Sequence, residues 1–444
     1  MTSVGNARRS SYFAYLVPVL SVFAALLIGA IMLLALDASP AEGVRAMFDG
    51  AFGSGEALIS TALKATPLLL VGVGITIAFR ANVINIGGEG QMVAGGLLST
   101  ALALGIGDAL PAIIMVPLVL LAGIVGGAIW GAIPGALKAY YGVNEILSTI
   151  MLNIVAVQLM NFLLRGPMID PGEIDRGTRI PQTERLSESA DLPLILGSDR
   201  LHIGPLIAVL AAIAAYILLW RTPVGYRVRA VGQNPDASRY AGIPVKRTIV
   251  LALTMSGAMA GLAGAVLVFG SESHRMVTDG STAGFTGSAG FNGIVAALFG
   301  GLHPLWTIPA SFLFGGLLVG GNALQRAVQV PSALILALNG LVVIFVVSTD
   351  RYRRLLRDRA SAAETAARLA EQEEVEKGAE VAAAAVKGGQ PLFAHDQMQR
   401  GPLFLGSLGQ QQTARAEIER RQSQPPRQLR PPIPPPQAPG DHQV

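Results

Sequence analysis

Glu89 stands in the stretch "ANVINIGGEGQMVAGG", residues 81–96, beside Asn82, Asn85 and Gln91 and among five glycines. A carboxylate and three carboxamides in such a setting can do two kinds of chemistry. They can hydrogen-bond a polar solute, or Glu89 can exchange a proton and couple movement of that solute to a proton gradient. The competing reading is architectural: Glu89 caps the N-terminus of a broken helix or lies at a membrane interface, where a negative group costs little. At membrane depth a carboxylate is expensive and marks a functional site by default. A second stretch, "GFTGSAGFNGIVAALFGG" over 284–301, again combines glycines with Phe291 and Asn292. Asn153 and Asn161 lie eight residues apart and so share a helix face with each other. There, hydrogen bonding to a neighbouring helix competes with lining a pathway.

Other chemistries find no support. The histidines His274 and His303 are single, no HExxH spacing occurs, and there is no cysteine. Paired acids, histidine clusters or a nucleophile with its base do not converge, so no enzyme, metal site or bound cofactor is expected.

The elements that must position these residues are apolar. Of the 444 residues 51% are hydrophobic and 14% charged, with mean hydropathy +0.51, against about 25% charged in soluble domains. A helix needs about 20 apolar residues to cross a bilayer, and candidate spans fall at 13–36, 58–79, 92–107, 110–137, 146–164, 203–220, 249–269, 284–302, 305–323 and 331–348. The expected fold is an all-α polytopic membrane protein of about ten helices, with eight to ten compatible with the pattern. The first span is too long for the apolar region of a signal peptide and reads as a retained helix. With Arg8 and Arg9 inside, Arg80, Lys138, the basic segment 221–248 and the arginines after Asp350 also fall inside, which places both termini in the cytoplasm. The net charge of +4 is thereby a matter of topology and not of nucleic-acid binding. Glycine-interrupted segments in the two halves, 81–96 and 284–301, are the pattern of inverted-repeat transporters with broken helices around a central pathway.

Residues 1–349 are therefore read as the membrane domain. Residues 350–444, Ala/Glu/Arg-rich and then proline-rich ("QPPRQLRPPIPPPQAP"), are expected to form a solvated, disordered cytoplasmic tail.

The inside segment "TPVGYRVRAVGQNPDASRYAGIPVKRTIV", 222–250, begins with turn-forming residues and continues into a short helix, "ASRYAGIPV", ended by Gly242 and Pro244. Its pattern of Gly225, Arg227, Arg229, Ala230, Gly232, Asn234, Ala237, Gly242 and Ile243 resembles the coupling loop of permease subunits of ATP-binding-cassette importers, in the branch for branched-chain amino acids, simple sugars and nucleosides. "FRANVINIGGEGQMVAG" and "NEILSTIMLNIVAVQLMNFLLRGP" are similar to the nucleoside and simple-sugar members, over a resemblance that spans residues 15–348.

That resemblance implies uptake of nucleosides or a related simple sugar through a bacterial cytoplasmic membrane. It implies three protein partners: an ATPase, a second permease copy or homologue, and an extracytoplasmic substrate-binding lipoprotein. No G-x-x-x-x-G-K-[ST] loop occurs, so ATP would be bound by the partner. The pathway residues are then Asn82, Asn85, Glu89, Gln91, Asn153, Phe291 and Asn292. The rival readings are a branched-chain amino acid or ribose permease of the same family, and a proton-coupled secondary transporter.

Overall fold

A computed structural model describes residues 27–35, 37–195, 200–331 and scattered positions between 337 and 377. The described residues before Asp358 group into one compact unit. The named helices are α1 Pro40–Phe52, α2 Gly55–Arg80, α3 Gly88–Ile106, α4 Ala112–Tyr141, α5 Glu145–Arg165, α6 Pro171–Asp175, α7 Gly204–Arg221, α8 Pro223–Gln233, α9 Pro235–Tyr240, α10 Val245–Phe269, α11 Thr282–Thr286, α12 Ala289–Phe299 and α13 Pro304–Val328. Among the described residues strand pairing is limited to two isolated bridges, Gln182 with Val277 and Leu194 with His202. The protein is an all-α polytopic membrane protein. Seven of these helices, α2, α3, α4, α5, α7, α10 and α13, are long and apolar enough to cross a bilayer. Most of the spans read at 331–348 and 13–36, and all of the proline-rich stretch, lie outside the described residues.

The span read at 284–302 is corrected. Its apolar run holds only the 11-residue α12, about 16 Å long at 1.5 Å per residue, or half of a bilayer core. Gly287 and Ser288 both take left-handed backbone, φ 59° and 60°, and separate α12 from the five-residue α11. In the other direction, the helix read from 92 starts earlier, at Gly88, so four of the five glycines of 81–96 are helical.

α2 lies at the centre, buried almost continuously from Ala65 to Ala78. A helix that is apolar on all sides needs neighbours on all sides. On one flank α10 crosses α4 on glycines. A Cβ added to Gly261 would lie 2.1 Å from the Gly123 carbonyl oxygen and 2.7 Å from the Gly127 Cα, and one on Gly264 would lie 2.0 Å from the Met92 carbonyl oxygen of α3. Gly123, Gly127 and Gly131 recur every four residues, as do Gly257 and Gly261, so each set forms one stripe. Without a hydrophobic force between helices in lipid, such close backbone approach supplies the packing. On the other flank α13 rests against α1 and α2, where Gly315 faces the Thr61 carbonyl and Gly320 faces Met47. Thr61 ties α2 to the end of α1 by donating to the Ala51 carbonyl at 2.8 Å.

His202 secures the entry to α7. It is buried, and its Nδ1 accepts the Gly204 N–H at 3.0 Å. Burial lowers its pKa from 6.5. A folded pKa below the unfolded one means that the unfolded chain binds the extra proton, so this contribution is present above about pH 6.5 and is lost as pH falls below it. The melting temperature of the detergent-solubilised protein is expected to fall as pH drops from 7 toward 5. His202→Asn should flatten that part of the profile, and an unchanged slope in the variant would contradict the assignment.

Candidate functional site

The first site is built by two helices that begin inside the bundle. Gly88 opens α3 and Gly290 lies in the first turn of α12. A Cβ on Gly88 would be 3.1 Å from Val71 Cγ1 and 3.4 Å from the Gly290 Cα. Val71 precedes Arg80, the end of α2, by nine residues, which is about 14 Å along a helix. Both N-termini therefore lie near the middle of a ~30 Å core, and residues 81–87 climb back from the end of α2 to reach them.

Each of these helix starts exposes N–H groups without intrahelical acceptors, and side chains from other helices supply the acceptors. The Glu89 carboxylate of α3 accepts the Phe291 N–H of α12 at 3.1 Å and the Thr286 hydroxyl. Glycine is required at 290, because a Cβ there would lie 2.5 Å from the Glu89 nitrogen and 2.8 Å from its Cδ. The Asn153 side chain of α5 does the same for α3: its Oδ1 accepts the Gly90 N–H at 2.8 Å, while its Nδ2 donates to the Ile86 carbonyl at 3.0 Å. Asn85 donates to Gln91 Oε1 at 2.9 Å and to the Ser256 hydroxyl at 2.8 Å, and accepts the Gly87 N–H at 2.8 Å. Two helix N-termini, each carrying about half a positive charge, thus meet around one carboxylate.

The pathway residues named from sequence divide in two. Asn85, Glu89, Gln91 and Asn153 are buried and bonded to protein groups that hold the break open. Asn82, with φ 56°, and Phe291 are exposed, and Asn292 is half-buried. Asn161 fastens the approach to α11, donating to the Gly280 carbonyl and accepting from Thr278, both at 3.2 Å.

The second site is segment 222–250. Thr222 caps α8, its hydroxyl accepting the Gly225 N–H at 3.2 Å, with Pro223 in the first turn. The turn-rich start expected from sequence is in fact this helix. Its signals were a Thr-Pro start and valines at 224, 228 and 231. Asn234 ends α8 and caps α9, accepting the Ala237 N–H at 2.9 Å. Gly242, at φ 77°, closes α9, and the Ile243 N–H returns to the Ser238 carbonyl at 2.9 Å.

Two of the small residues serve this chain's own packing. A Cβ on Gly225 would lie 2.0 Å from the Leu218 carbonyl oxygen, and one on Gly232 2.0 Å from the Arg80 carbonyl oxygen. Arg229 also turns inward, donating to the Leu219 carbonyl at 3.0 Å and lying 5.8 Å from the Trp220 ring centre. Ala230 is half-buried between them. Among the residues that remain open to a partner are Tyr226, Arg227, Asn234, Ala237, Arg239, Gly242 and Tyr240, the last 94% exposed.

One cluster had no sequence signal. Arg80 donates from Nε and Nη2 to the Leu302 carbonyl at 3.0 and 2.7 Å and lies 5.2 Å from the Trp220 ring centre. Trp220 in turn packs on Tyr216 at 5.3 Å and on His303 at 4.9 Å. Burial, then the charge of Arg80, lower the His303 pKa, so it stacks as a neutral ring. His274 pairs with Asp191 at 2.7 Å. Among the described residues no group of three or more His, Asp or Glu is arranged to hold a metal.

A family profile described as the branched-chain amino acid transport system permease component matches residues 57–347. The chain is 35% identical over 338 residues to a guanosine ABC transporter permease protein, NupP, of Bacillus subtilis, covering 76% of this chain and 94% of that one. It is 34% identical over 355 residues to a glucose ABC transporter permease protein, TsgB13, of Haloferax volcanii, covering 78% and 90%. It is 33% identical over 336 residues to a nucleoside ABC transporter permease protein, NupB, of Lactococcus lactis, covering 74% and 90%.

Proposed function

The chain belongs to the family of permease components described for branched-chain amino acid transport systems, and from that premise we propose that it carries nucleosides inward as the membrane subunit of an ATP-binding-cassette importer. The observation that supports this most is the junction of α3 and α12. Non-helical backbone at membrane depth is tolerated only where protein or water covers it. The non-helical backbone at 81–87 and 287–288 therefore borders protein or a wet path, and the open Phe291 and half-buried Asn292, in the first turn of α12, are the side chains placed on that path in this reading. Phe291 offers a flat ring to a nucleobase, and Asn292 and Asn82 offer donors and acceptors to a sugar. Two relatives named for guanosine and nucleosides support the same choice.

In this reading α8 and α9 face the cytoplasm and receive the ATPase, Glu89 and its neighbours hold the pathway open, and both termini lie inside. A second permease copy or homologue completes the pathway, and an extracytoplasmic lipoprotein delivers the substrate. A simple sugar is the second reading, favoured by the relative named for glucose. A branched-chain amino acid has only the family description behind it. A proton-coupled carrier is disfavoured because both oxygens of Glu89 are engaged by protein donors, one by the Phe291 N–H of α12 and the other by the Thr286 hydroxyl of α11.

The substrate is tested by competition for labelled guanosine uptake in cells carrying the complete transporter. Unlabelled nucleosides should compete; glucose, ribose and leucine should not. Competition by glucose alone would move the assignment to a sugar. Within the nucleoside reading, Phe291→Ala should raise KM for uptake by roughly tenfold, the loss of one stacked base, while the complex still assembles. An unchanged KM would remove Phe291 from the substrate path.

A further inference from the structure

We propose that Arg80 is the positioning residue that ties the docking helix α8 to the half-helix α12, so that displacement of α8 by the ATPase reaches the mid-membrane junction. The proposal rests on the reading of α8 and α9 as the ATPase docking site. Its geometry is independent of that reading. α8 has no slack against α2, since Gly232 meets the Arg80 backbone so closely that even a Cβ would lie 2.0 Å from its carbonyl oxygen. The Arg80 and Arg229 guanidinium groups, one from each helix, both lie against the ring of Trp220.

From there Arg80 reaches α12. Its two donors converge on the carbonyl of Leu302, the residue that closes α12 by returning its N–H to the Ala297 carbonyl at 2.8 Å with φ 53°. The opposite end of α12 is held by Glu89. Arg80 and Glu89 are nine residues apart in the chain, on either side of the non-helical segment 81–87, and grip the two ends of the same short helix. A shift of Arg80 relative to Glu89 must therefore tilt or slide α12, and with it Phe291 and Asn292. The planar fork of arginine suits such a tie, because it places two donors on one carbonyl and still packs on an indole. Lysine keeps the charge and loses the planar fork of two nitrogens.

The chain has no cysteine, so Ile294→Cys, on the partly exposed face of α12, adds a single thiol. In the complete complex with its ATPase, reconstituted in nanodiscs, the labelling rate of this thiol by a small maleimide is measured with and without a non-hydrolysable ATP analogue. Nucleotide should change the rate when Arg80 is present. In Arg80→Met the change should disappear and substrate uptake fall roughly tenfold, while ATPase co-purification and basal ATP turnover stay at parent level. Arg80→Lys should give an intermediate response, and it carries the test if Arg80→Met does not assemble. A full nucleotide-dependent change in the lysine or methionine variant overturns the proposal. Failure of the ATPase to co-purify with the Arg80 parent, or no nucleotide response there, overturns instead the docking reading beneath it.

Discussion

Replacing Glu89 with alanine is expected to abolish uptake and to lower the melting temperature of the solubilised protein. The carboxylate is the acceptor for the first turn of α12 and for Thr286, and it sits where two helix N-termini converge. Its removal leaves buried donors without partners, at about 1–3 kcal/mol each, and leaves the converging helix dipoles unopposed. Because α12 has only 11 residues, it cannot offset that loss along its own length. Glu89→Gln should be far milder: the amide oxygen can accept from Phe291, and the amide nitrogen can donate to the Thr286 oxygen. Melting and uptake measured on both variants separate the two roles. If Glu89→Gln melts like the parent yet transports nothing, the carboxylate acts on the solute or on a proton, and the architectural role assigned here is wrong.

Gly261→Val should prevent accumulation of folded protein. The first added carbon already lies 2.1 Å from a backbone oxygen of α4, and a backbone atom cannot swing aside as the end of a side chain can. Helices α4 and α10 would have to separate along the whole glycine stripe. Overpacking one position in a well-packed core costs about 1–3 kcal/mol, and separating the helices would also loosen Gly123, Gly127 and Gly257. Gly105→Ala is the control, since nothing lies within 4 Å of an added Cβ there; it should express as the parent does. The quantity measured is the yield of monodisperse protein in detergent. A valine variant recovered at parental yield would show that the two helices pack more loosely than described.

The long spans were legible because hydrophobic length alone defines a crossing helix, and α2, α4, α5, α7, α10 and α13 fall close to where the apolar runs lie. That 284–301 is interrupted was legible from its glycines, but where the break falls, and so the half-length of α12, was not. Its residues continue the apolar character of a full span, and what divides them is a pair of left-handed residues, one of which, Ser288, carries no sequence mark for that conformation. The polar residues of the junction were found from sequence, but their division into fastening and open groups was not. That division depends on partners remote in the chain, such as Asn85 with Ser256 and Arg80 with Leu302, separated by 171 and 222 residues. In segment 222–250 the small residues were recognised. Gly225 and Gly232 are small to fit α7 and α2 of the same chain, and Ala237 is one that does stand exposed.

Nucleoside uptake driven by a separate ATPase, as proposed above, predicts a strict dependence on ATP. The direct test is guanosine uptake into proteoliposomes that hold the chain with its ATPase, with the binding protein supplied on the substrate side. Uptake is expected only when ATP is present on the ATPase side, blocked by an inhibitor of ATP hydrolysis and insensitive to protonophores. Uptake that proceeds without ATP, driven by an imposed proton gradient and collapsed by a protonophore, would contradict it.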